Sequence, residues 1–399
     1  MAMIKKPVNG MKDILPAEMA VRNYVIGLIR KTYAEFGFSS METPVVEHIE
    51  NLLSKQGGEN EKLIFKILKR GEKLDLSAPT TEDAVTDSGL RYDLTLPLAR
   101  YYSAHAAELP APFKALQIGP VFRADRPQRG RYRQFTQCDI DTLGDPSYLA
   151  EIELILATTT AITRLGFKNY TIRINDRAIL KDMAGRAGFA AEDTEKVFII
   201  LDKMDKIGRD GVRDELVASF PEETVDAYLA LFDESPEALI GDSPIGKIIR
   251  TVDAVKTGDF RIVFDPTLVR GMGYYTGPIF EIAMDEFGGS VGGGGRYDGM
   301  IGKFTGQPTP AVGFSIGFER IVLLLMERGF TVPDEGEKVA LLVEKNMPDE
   351  RLAEVFARAN ALRAEGKCVT ISTMKKNKKF QKDQMTAEGY TAFEEYFRK

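Results

Sequence analysis

The sequence predicts an α+β protein in which helices flank an antiparallel sheet, with a helical insertion and a small C-terminal α/β domain. Three observations lead to this fold class. Two strand-like runs, 115–123 and 133–143, flank a basic loop at the spacing of an antiparallel hairpin. Helical periods separated by turns fill residues 176–258. From about residue 337, strand and helix patterns alternate, which indicates a small parallel α/β unit.

Composition is typical of a globular protein, with 44% hydrophobic and 28% charged residues, and 399 residues are enough for two or three domains. No apolar run approaches the roughly 18 residues of a membrane span. The first residues lack the apolar core of a signal peptide. We therefore expect a cytoplasmic protein that does not enter a membrane. The net charge of −6 disfavours general coating of nucleic acid, so any RNA contact must use local basic patches.

Cysteine and histidine are scarce. Cys138 and Cys368 lie far apart in the sequence, and the two histidines are His48 and His105. Such a set allows no disulfide framework and makes an ordinary zinc site improbable. The sequence therefore predicts no metal held by protein side chains.

Before the hairpin, one segment contains candidate ligand-binding residues, 89–97 (GLRYDLTLP). The elements predicted around it are a helix over 16–36, a short strand over 38–46 and a long amphipathic helix over 148–165. Asp93 and Thr95 share parity in an extended chain, so they should project from one face, where Asp93 could accept from an ammonium group. The alternative is that Asp93 is an ordinary turn residue at the end of a strand.

The hairpin over 115–143 has the residue types of a binding site. Alternation places four residues on one face of its second strand: Phe135, Gln137, Asp139 and Asp141. A strand that only packs would not carry an amide and two carboxylates there, because buried polar groups need partners. Five arginines fall within eleven residues at the loop: Arg123, Arg126, Arg129, Arg131 and Arg133. Since the arginine fork suits phosphate oxygens, we expect an anion at one end and a cationic or hydrogen-bonding ligand at the other. The alternative is a solvated hairpin tip beside an ordinary edge strand.

Strand patterns return in the segment 264–281, FDPTLVRGMGYYTGPIFE. Glycines next to Arg270 and to two tyrosines suggest a pocket wall that the backbone allows a ligand to approach, and alternation places Tyr274 and Tyr275 on opposite faces. The glycine run in 288–298 is either part of this site or a flexible turn. Arg320 falls in the first turn of a helix predicted over 318–328, where a cation is unfavourable unless an anion binds there.

Three stretches resemble the motifs of the class II aminoacyl-tRNA synthetases. Residues 37–44 resemble motif 1, the pattern FRAD, basic loop and RxxxF over 122–135 resembles motif 2, and 311–320 resembles motif 3. This resemblance implies a class II synthetase-like antiparallel sheet flanked by helices, and a homodimer formed through the Pro44 region. It further implies an ATP site formed by Arg123 at the α-phosphate, Arg320 at the γ-phosphate, Phe135 stacked on adenine, Asp125 (where many relatives have Glu) at the adenine amino group, and Arg131.

Two further stretches resemble signatures of the histidyl-tRNA synthetases, a family within that class. LVRGMGYYTG over 268–277 resembles LVRGLDYYTG, with Gly273 where the family has Asp, and GGGGRYDG over 292–299 resembles the second histidine motif. The resemblance implies that histidine is activated with ATP, with Mg²⁺ on the phosphates, and then transferred to tRNA(His). The implied catalytic residues are Arg123, Arg270 and Arg320, of which Arg270 bridges the histidine carboxylate and the α-phosphate. The implied histidine-binding residues are Asp93, Thr95 and Gln137 for the backbone groups, and Asp141, Tyr274, Tyr275 and Tyr297 for the side-chain end.

The predicted organisation is a catalytic domain over 1–330, a helical insertion over 177–258 and a partial anticodon-binding-like α/β domain over 337–399. The insertion is a spacer, a lid or an RNA-contacting unit. The last domain carries a lysine cluster that contacts tRNA or is a solvated helix face: Lys375, Lys376, Lys378, Lys379 and Lys382.

Two other functions compete with a histidine–tRNA ligase. One is the non-catalytic, synthetase-like regulatory subunit of ATP phosphoribosyltransferase, which is similar around YYTG and GGRYD. Those proteins generally lack the anticodon-binding domain and lose the ATP-binding arginines, whereas this chain keeps three arginines and a C-terminal α/β unit. The other is a generic nucleotide-binding module, which would explain the arginines but not the histidine-specific stretches. We therefore predict the ligase.

Overall fold

The computed structural model describes residues 3–53, 60–77, 81–269, 274–333 and 336–399, and it divides into two compact units, Met1–Phe330 and Thr331–Lys399. The strands are β1 Ser39–Ser40, β2 Val46–His48, β3 Lys66–Leu68, β4 Thr86–Leu90, β5 Phe113–Phe122, β6 Gln134–Leu143, β7 Tyr170–Asp176, β8 Phe260–Phe264, β9 Pro278–Met284, β10 Gly289–Arg296, β11 Ala311–Ile316, β12 Lys338–Val343, β13 Cys368–Thr373 and β14 Tyr390–Tyr396. The α-helices are α1 Pro16–Glu35, α2 Ile49–Leu52, α3 Glu82–Val85, α4 Thr95–His105, α5 Leu149–Arg164, α6 Arg177–Ala187, α7 Thr194–Leu201, α8 Met204–Val217, α9 Glu222–Ala230, α10 Pro236–Ile240, α11 Pro244–Val255, α12 Asp298–Thr305, α13 Phe318–Glu327, α14 Asp349–Ala364 and α15 Lys378–Ala387.

The first unit is built on a large sheet whose strand order, within the described residues, is β1-β5-β6-β11-β10-β9-β7-β8. Its inner strands pair antiparallel, and parallel pairs occur at the two edges, β1 with β5 and β7 with β8. The predicted hairpin is the β5–β6 pair, in register from Phe113 opposite Leu143 to Phe122 opposite Gln134. The predicted antiparallel sheet is therefore confirmed, with parallel pairs added at its edges.

The glycine run is a strand in the middle of this sheet, so its interpretation as a flexible turn is wrong. Strand β10 lies between β9 and β11, with Gly294 opposite Phe280 on one side and Phe314 on the other. A Cβ atom at Gly294 would lie 1.9 Å from the backbone oxygen of Gly313. Glycine is required there because a neighbouring backbone occupies the space of a side chain.

Helix α1 contacts both α5 and α13, and all three helices contact strands of the main sheet, so they form a helical layer against it. Alpha-helical spacing brings Val25, Ile29 and Tyr33 of α1 into this layer, where none of them is exposed. A buried ion pair joins α1 to α13: Arg22 Nη1 donates to Glu319 Oε2 at 2.6 Å and Nη2 donates to Oε1 at 2.8 Å. Glu319 also accepts from the backbone N–H of Thr136 at 2.9 Å, which ties both helices to the start of β6.

Along the chain, helices α6 to α11 come between β7 and β8, which pair in parallel in the sheet. They fall within the segment that the sequence predicts as a helical insertion. Helices α6 to α9 share a core that includes Leu180, Val197, Val212 and Tyr228. Helix α11 instead packs against α5, β7 and β8. Whether this segment is a separate domain stays a prediction.

The second unit is a parallel three-stranded sheet of order β13-β12-β14. Its connections run through α14 and α15, and its core packs Val339, Leu341 and Val343 of β12 against Val355 and Leu362 of α14. The predicted small C-terminal α/β domain is thus present as a fold, and its assignment to residues 337–399 as a partial anticodon-binding domain stays a prediction.

Candidate active site

A cleft of about 1310 Å³, counting its open mouth, lies on the middle strands of the main sheet. Strands β6, β10 and β11 supply its floor, and the start of α13 supplies part of its wall. The predicted site residues that the structure describes all line this one cleft: Asp93, Thr95, Arg123, Asp125, Arg131, Phe135, Gln137, Asp141, Tyr274, Tyr275, Tyr297 and Arg320. The structure therefore brings together residues separated by more than 200 positions in the sequence.

Strand β6 carries the polar row that alternation predicts. Gln137, Asp139 and Asp141 all face the cleft, and Asp139 and Asp141 are only 4% and 3% exposed. Tyr297 Oη donates to Asp141 Oδ1 at 2.6 Å, and Ser315 Oγ donates to Asp139 Oδ1 at 2.5 Å. Gln137 Nε2 donates to Asp139 Oδ2 at 3.1 Å. The carboxylates of the row are therefore held by partners on β6 itself, on the neighbouring β11, and at Tyr297 just after β10.

Several acceptor atoms of residues that line the cleft are buried without a partner among the residues that the structure describes: Asp93 Oδ2, Gln137 Oε1 and Asp141 Oδ2. A buried acceptor that lacks a donor costs on the order of 1–3 kcal/mol, and more for a charged group. A ligand that brings N–H donors or a positive charge would remove this cost. The part of the cleft that these acceptors line is consequently suited to a cationic ligand rich in N–H donors.

The carboxylates of the cleft are held in surroundings that oppose their charge. Burial raises the pKa of Asp139 to about 7, with a smaller contribution from the nearby Asp93. Burial, assisted by the charge of Asp139, also raises the pKa of Asp141 well above its ordinary value. The pKa of Asp93 is raised by burial, although the positive charge of Arg123 opposes the shift. Three mutually repelling acids in one cleft favour the arrival of a cation.

Asp93 and Thr95 reach the cleft in a different way from the one predicted. Strand β4 ends at Leu90, and Thr95 begins α4, so the two residues do not alternate along a strand. Asp93 Oδ1 accepts from the backbone N–H of Leu96 at 3.1 Å, which stabilises the turn into the helix. The interpretation of Asp93 as a turn residue is therefore correct, and its second oxygen is still buried at the cleft without a partner among the described residues.

Three tyrosines form an aromatic wall. The rings of Tyr274 and Tyr275 lie 4.8 Å apart between centroids, and those of Tyr274 and Tyr297 lie 6.2 Å apart with edge-to-face geometry. The prediction that Tyr274 and Tyr275 point to opposite faces is wrong, because both line the cleft and neither belongs to a strand. Burial raises the pKa of Tyr274 and of Tyr297, so both stay neutral hydroxyl groups at neutral pH.

Arginines also line the cleft. Arg123 Nε donates to the backbone oxygen of Tyr92 at 2.7 Å, and its guanidinium lies 5.3 Å from the centre of the Phe135 ring. Arg320 lies in the first turn of α13, as predicted, and donates to the backbone oxygen of Ser290. Since the N-terminus of a helix carries a partial positive charge, Arg320 adds to a site that attracts anions.

The loop between β5 and β6 is held by an ion pair. Arg131 donates to Asp125 Oδ2 from Nε at 3.0 Å and from Nη2 at 2.8 Å. Both residues were predicted to contact ATP, and the structure shows that they also contact each other. Arg270 and Gly273 lie outside the described residues.

The sequence placed Asp139 on the ligand-binding face of β6 but gave it no role in the site. Ser315, which lies opposite Asp139 in the β6–β11 register, was not among the predicted site residues. No local pattern marks Ser315, because its position depends on the pairing of two strands that are distant in the sequence.

A family model described as histidyl-tRNA synthetase matches residues 10–321 of the chain. The chain belongs to the histidyl-tRNA synthetase family. It is 44% identical to the histidine–tRNA ligase of Leifsonia xyli over 416 aligned residues, which cover 97% of this chain and 94% of that protein. It is 36% identical to the histidine–tRNA ligase of Christiangramia forsetii, with 89% and 87% of the two chains covered. The family, the enzyme class and the histidine–tRNA ligase function predicted from the sequence are thereby confirmed.

Solved structures agree with the class II synthetase fold. A histidyl-tRNA synthetase from Nostoc sp. PCC 7120 matches with a TM-score of 0.76 at 28% identity, covering 97% of this chain and 90% of that one. A structure from Bacillus halodurans, named as an ATP phosphoribosyltransferase regulatory subunit/histidyl-tRNA synthetase, matches with a TM-score of 0.79 over 99% of both chains. At 20% identity this second match is a likeness of fold alone.

No helix in the described part of the chain is long and apolar enough to cross a membrane. Nor do the described histidine, cysteine, aspartate and glutamate side chains form a group of three or more that could hold a metal ion.

Proposed function

We propose that this histidyl-tRNA synthetase activates histidine in the described cleft and then transfers it to tRNA(His). The observation that carries the proposal is that one cleft brings arginines together with buried acceptors that lack a partner among the described residues. These two sets are assigned to the two substrates. The buried acceptors suit the ammonium and imidazole N–H groups of histidine. The arginines offer positive charge to the phosphates of ATP.

In the first step an oxygen of the histidine carboxylate attacks the α-phosphorus of ATP. An O–P bond forms, the bond to the bridging oxygen breaks, and pyrophosphate leaves with the electron pair. Negative charge accumulates around the α-phosphate, so catalysis needs fixed positive charge there together with accurate positioning. We assign Arg123 and Arg270 to the α-phosphate, with Arg270 also at the histidine carboxylate, and Arg320 to the γ-phosphate.

Histidine recognition is assigned to acceptors and hydroxyl groups that line the cleft. Asp93, Thr95 and Gln137 bind the ammonium end, and the free oxygen of Asp141 accepts from an imidazole N–H. Tyr297 supports this assignment, because its hydroxyl occupies the other oxygen of Asp141 and so orients the carboxylate. An amino acid that lacks the N–H would leave a buried acceptor unpaired, which is a strong basis for rejection. Tyr274 and Tyr275 cover the ring.

ATP binding is assigned to Phe135, Asp125 and Arg131 beside the catalytic arginines. The flat guanidinium of Arg123 lies against the Phe135 ring, so adenine would stack on Phe135 alongside a cation. Asp125 can accept from the adenine amino group through Oδ1 while Oδ2 keeps its bonds to Arg131. Mg²⁺ is expected to enter with ATP, bound to phosphate oxygens.

We further propose a homodimer formed through the Pro44 region and a cytoplasmic location. The proposed domains are a catalytic domain over 1–330 with an inserted helical segment over 177–258, and an anticodon-binding-like unit over 337–399. Sedimentation at micromolar concentration tests the dimer, and a species of 44 kDa alone would contradict it.

The exchange of labelled pyrophosphate into ATP tests the activity. Exchange should require histidine and should not proceed with asparagine or glutamine, which match the size of histidine without its ring. Aminoacylation of tRNA(His) should follow with the same purified protein. Histidine binding by calorimetry without any exchange would instead favour a regulatory protein of the synthetase fold, and ATP binding with neither histidine binding nor exchange would point to a generic nucleotide-binding module.

A further inference from the structure

Asp139 lies in the cleft between two residues to which we assign histidine binding. It is 4% exposed, and alternation along β6 puts its side chain on the same face as Gln137 and Asp141. In the register of the sheet it stands opposite Ser315 of β11. None of the roles assigned above includes Asp139.

The contacts of Asp139 determine how the neighbouring amide is turned. Gln137 Nε2 donates to Asp139 Oδ2 at 3.1 Å and lies 3.4 Å from Oδ1, while Ser315 Oγ donates to Oδ1 at 2.5 Å. An ionised carboxylate has no proton to donate, so an adjacent side-chain amide must turn its NH₂ group toward it. Gln137 Oε1 is left without a partner among the described residues, at the surface of the cleft.

The direction of this amide matters because its two ends differ in sign. Oε1 accepts hydrogen bonds and attracts a cation, whereas Nε2 only donates and repels one. Turned the other way, Gln137 would present a donor to the ammonium group of an amino acid and would cancel part of the attraction from Asp93.

We propose that Asp139 is a positioning residue that fixes the orientation of the Gln137 amide, so that the oxygen of Gln137 faces the ammonium group of the substrate. This inference rests on the proposed function, which supplies the ammonium ligand. Asp139 thereby acts on histidine through Gln137, and the bound ammonium group in turn favours the ionised form of Asp139 that holds the amide.

The test compares the variant Ser315→Ala with the double variant Ser315→Ala/Asp139→Asn. The new amide at position 139 has an NH₂ group that needs an acceptor. Without the Ser315 hydroxyl, it donates to Oε1 of Gln137. Gln137 then turns its own NH₂ toward the cleft. The KM for histidine in pyrophosphate exchange should rise about 10- to 100-fold, the effect of losing a hydrogen bond to a charged group. The kcat of exchange and the KM for ATP should change far less.

Two further comparisons distinguish positioning from direct contact. In a Gln137→Ala background the Asp139→Asn change should alter the KM for histidine by no more than about threefold, because the residue through which Asp139 acts is gone. Adding Gln137→Glu to the double variant should restore most of the affinity, since the new carboxylate accepts from the amide at 139 and still presents an oxygen to the ligand. Thermal unfolding and the KM for ATP show that each variant is folded.

The outcomes separate the two proposals. Equal KM values for the single and double variants, or an undiminished effect of Asp139→Asn in the Gln137→Ala background, overturn the positioning role while leaving the function intact. A wild-type protein that neither binds histidine nor supports exchange overturns the function, and the inference with it.

Discussion

Replacing Asp139 by Asn should make the ligand-free protein more resistant to unfolding at high pH. Burial raises the pKa of Asp139 to about 7, whereas an unfolded chain releases the same proton near pH 4. Between these values the unfolded state binds fewer protons than the folded state, so the free energy of unfolding falls as pH rises. The contribution of Asp139 to the free energy of unfolding is fully present below about pH 4 and is lost as pH rises through about 7.

The size of the effect follows from the two pKa values. A difference of about three units corresponds to about 4 kcal/mol above pH 7, at 1.36 kcal/mol per unit. The first unit comprises 330 residues, for which an unfolding entropy of about 2.1 cal/mol/K per residue gives about 0.7 kcal/mol/K. The Tm of the Asn variant minus that of the wild type should therefore be about 6 °C larger at pH 8 than at pH 4. Asp93 and Asp141, whose pKa values are also raised, add a decline in both proteins, and the part from Asp141 is smaller in the variant because the Asp139 charge is gone.

The assay is urea unfolding of the ligand-free wild type and variant at pH 5 and pH 8. The difference between the two proteins should grow by about 3 kcal/mol from the lower to the higher pH, because part of the loss has already occurred at pH 5. The exposed Asp182→Asn serves as the control and should follow the wild type at both values. Parallel behaviour of wild type and Asp139→Asn would refute the reasoning.

Three other predictions concern catalysis, the sheet and the second unit. Arg270→Ala should lower the rate of pyrophosphate exchange by about 10²–10³-fold without changing thermal unfolding, because it removes a cation aimed at transition-state charge; near-normal exchange would contradict the role. Gly294→Ala should cost several kcal/mol or prevent folding, since its Cβ would overlap the Gly313 oxygen, whereas Gly185→Ala, with nothing within 4 Å of the new atom, should be neutral or stabilising by up to about 1 kcal/mol; similar unfolding curves for the two would argue against the packing explanation. Deleting the chain after about residue 335 should spare exchange but flatten the salt dependence of tRNA binding, at roughly one counterion per lost phosphate contact; equal salt slopes would mean that the second unit does not touch RNA.

The sequence was sufficient where a site residue belongs to a long, regular strand. Strand β6 runs for ten residues without interruption, so alternation alone put Gln137, Asp139 and Asp141 on one face. The same rule failed for Asp93 and Thr95, because the chain leaves β4 before them and enters α4 at Thr95. Pro97, which favours the first turn of a helix, was the signal that could have corrected this.

The glycine strand was harder to predict for a physical reason. Glycine has low β propensity, and a run of it resembles a turn when only neighbours in the sequence are considered. The requirement for glycine comes from the backbone of β11, which is contributed by residues about 20 positions later.

The ion pairs of the lysine cluster also depend on residues that are distant in the sequence. Lys378 and Lys382 both pair with Glu395, at 2.8 and 2.6 Å, and no local pattern predicts this partner.

The parallel pairing of β7 with β8 limits how the helical segment between them could be removed by engineering. Tyr170 lies beside Phe260 and Ile174 beside Phe264, so the chain leaves β7 at one end of the pair and must return to the opposite end to begin β8. At about 3.3 Å per residue that return covers roughly 17–20 Å, which no tight turn can span. The twelve residues of α11, about 18 Å long, match this distance and pack along the sheet. A shortened variant should therefore omit α6 to α10 and keep α11 as the connection between β7 and β8. Foreign sequence should be inserted before Pro244 rather than at residue 258.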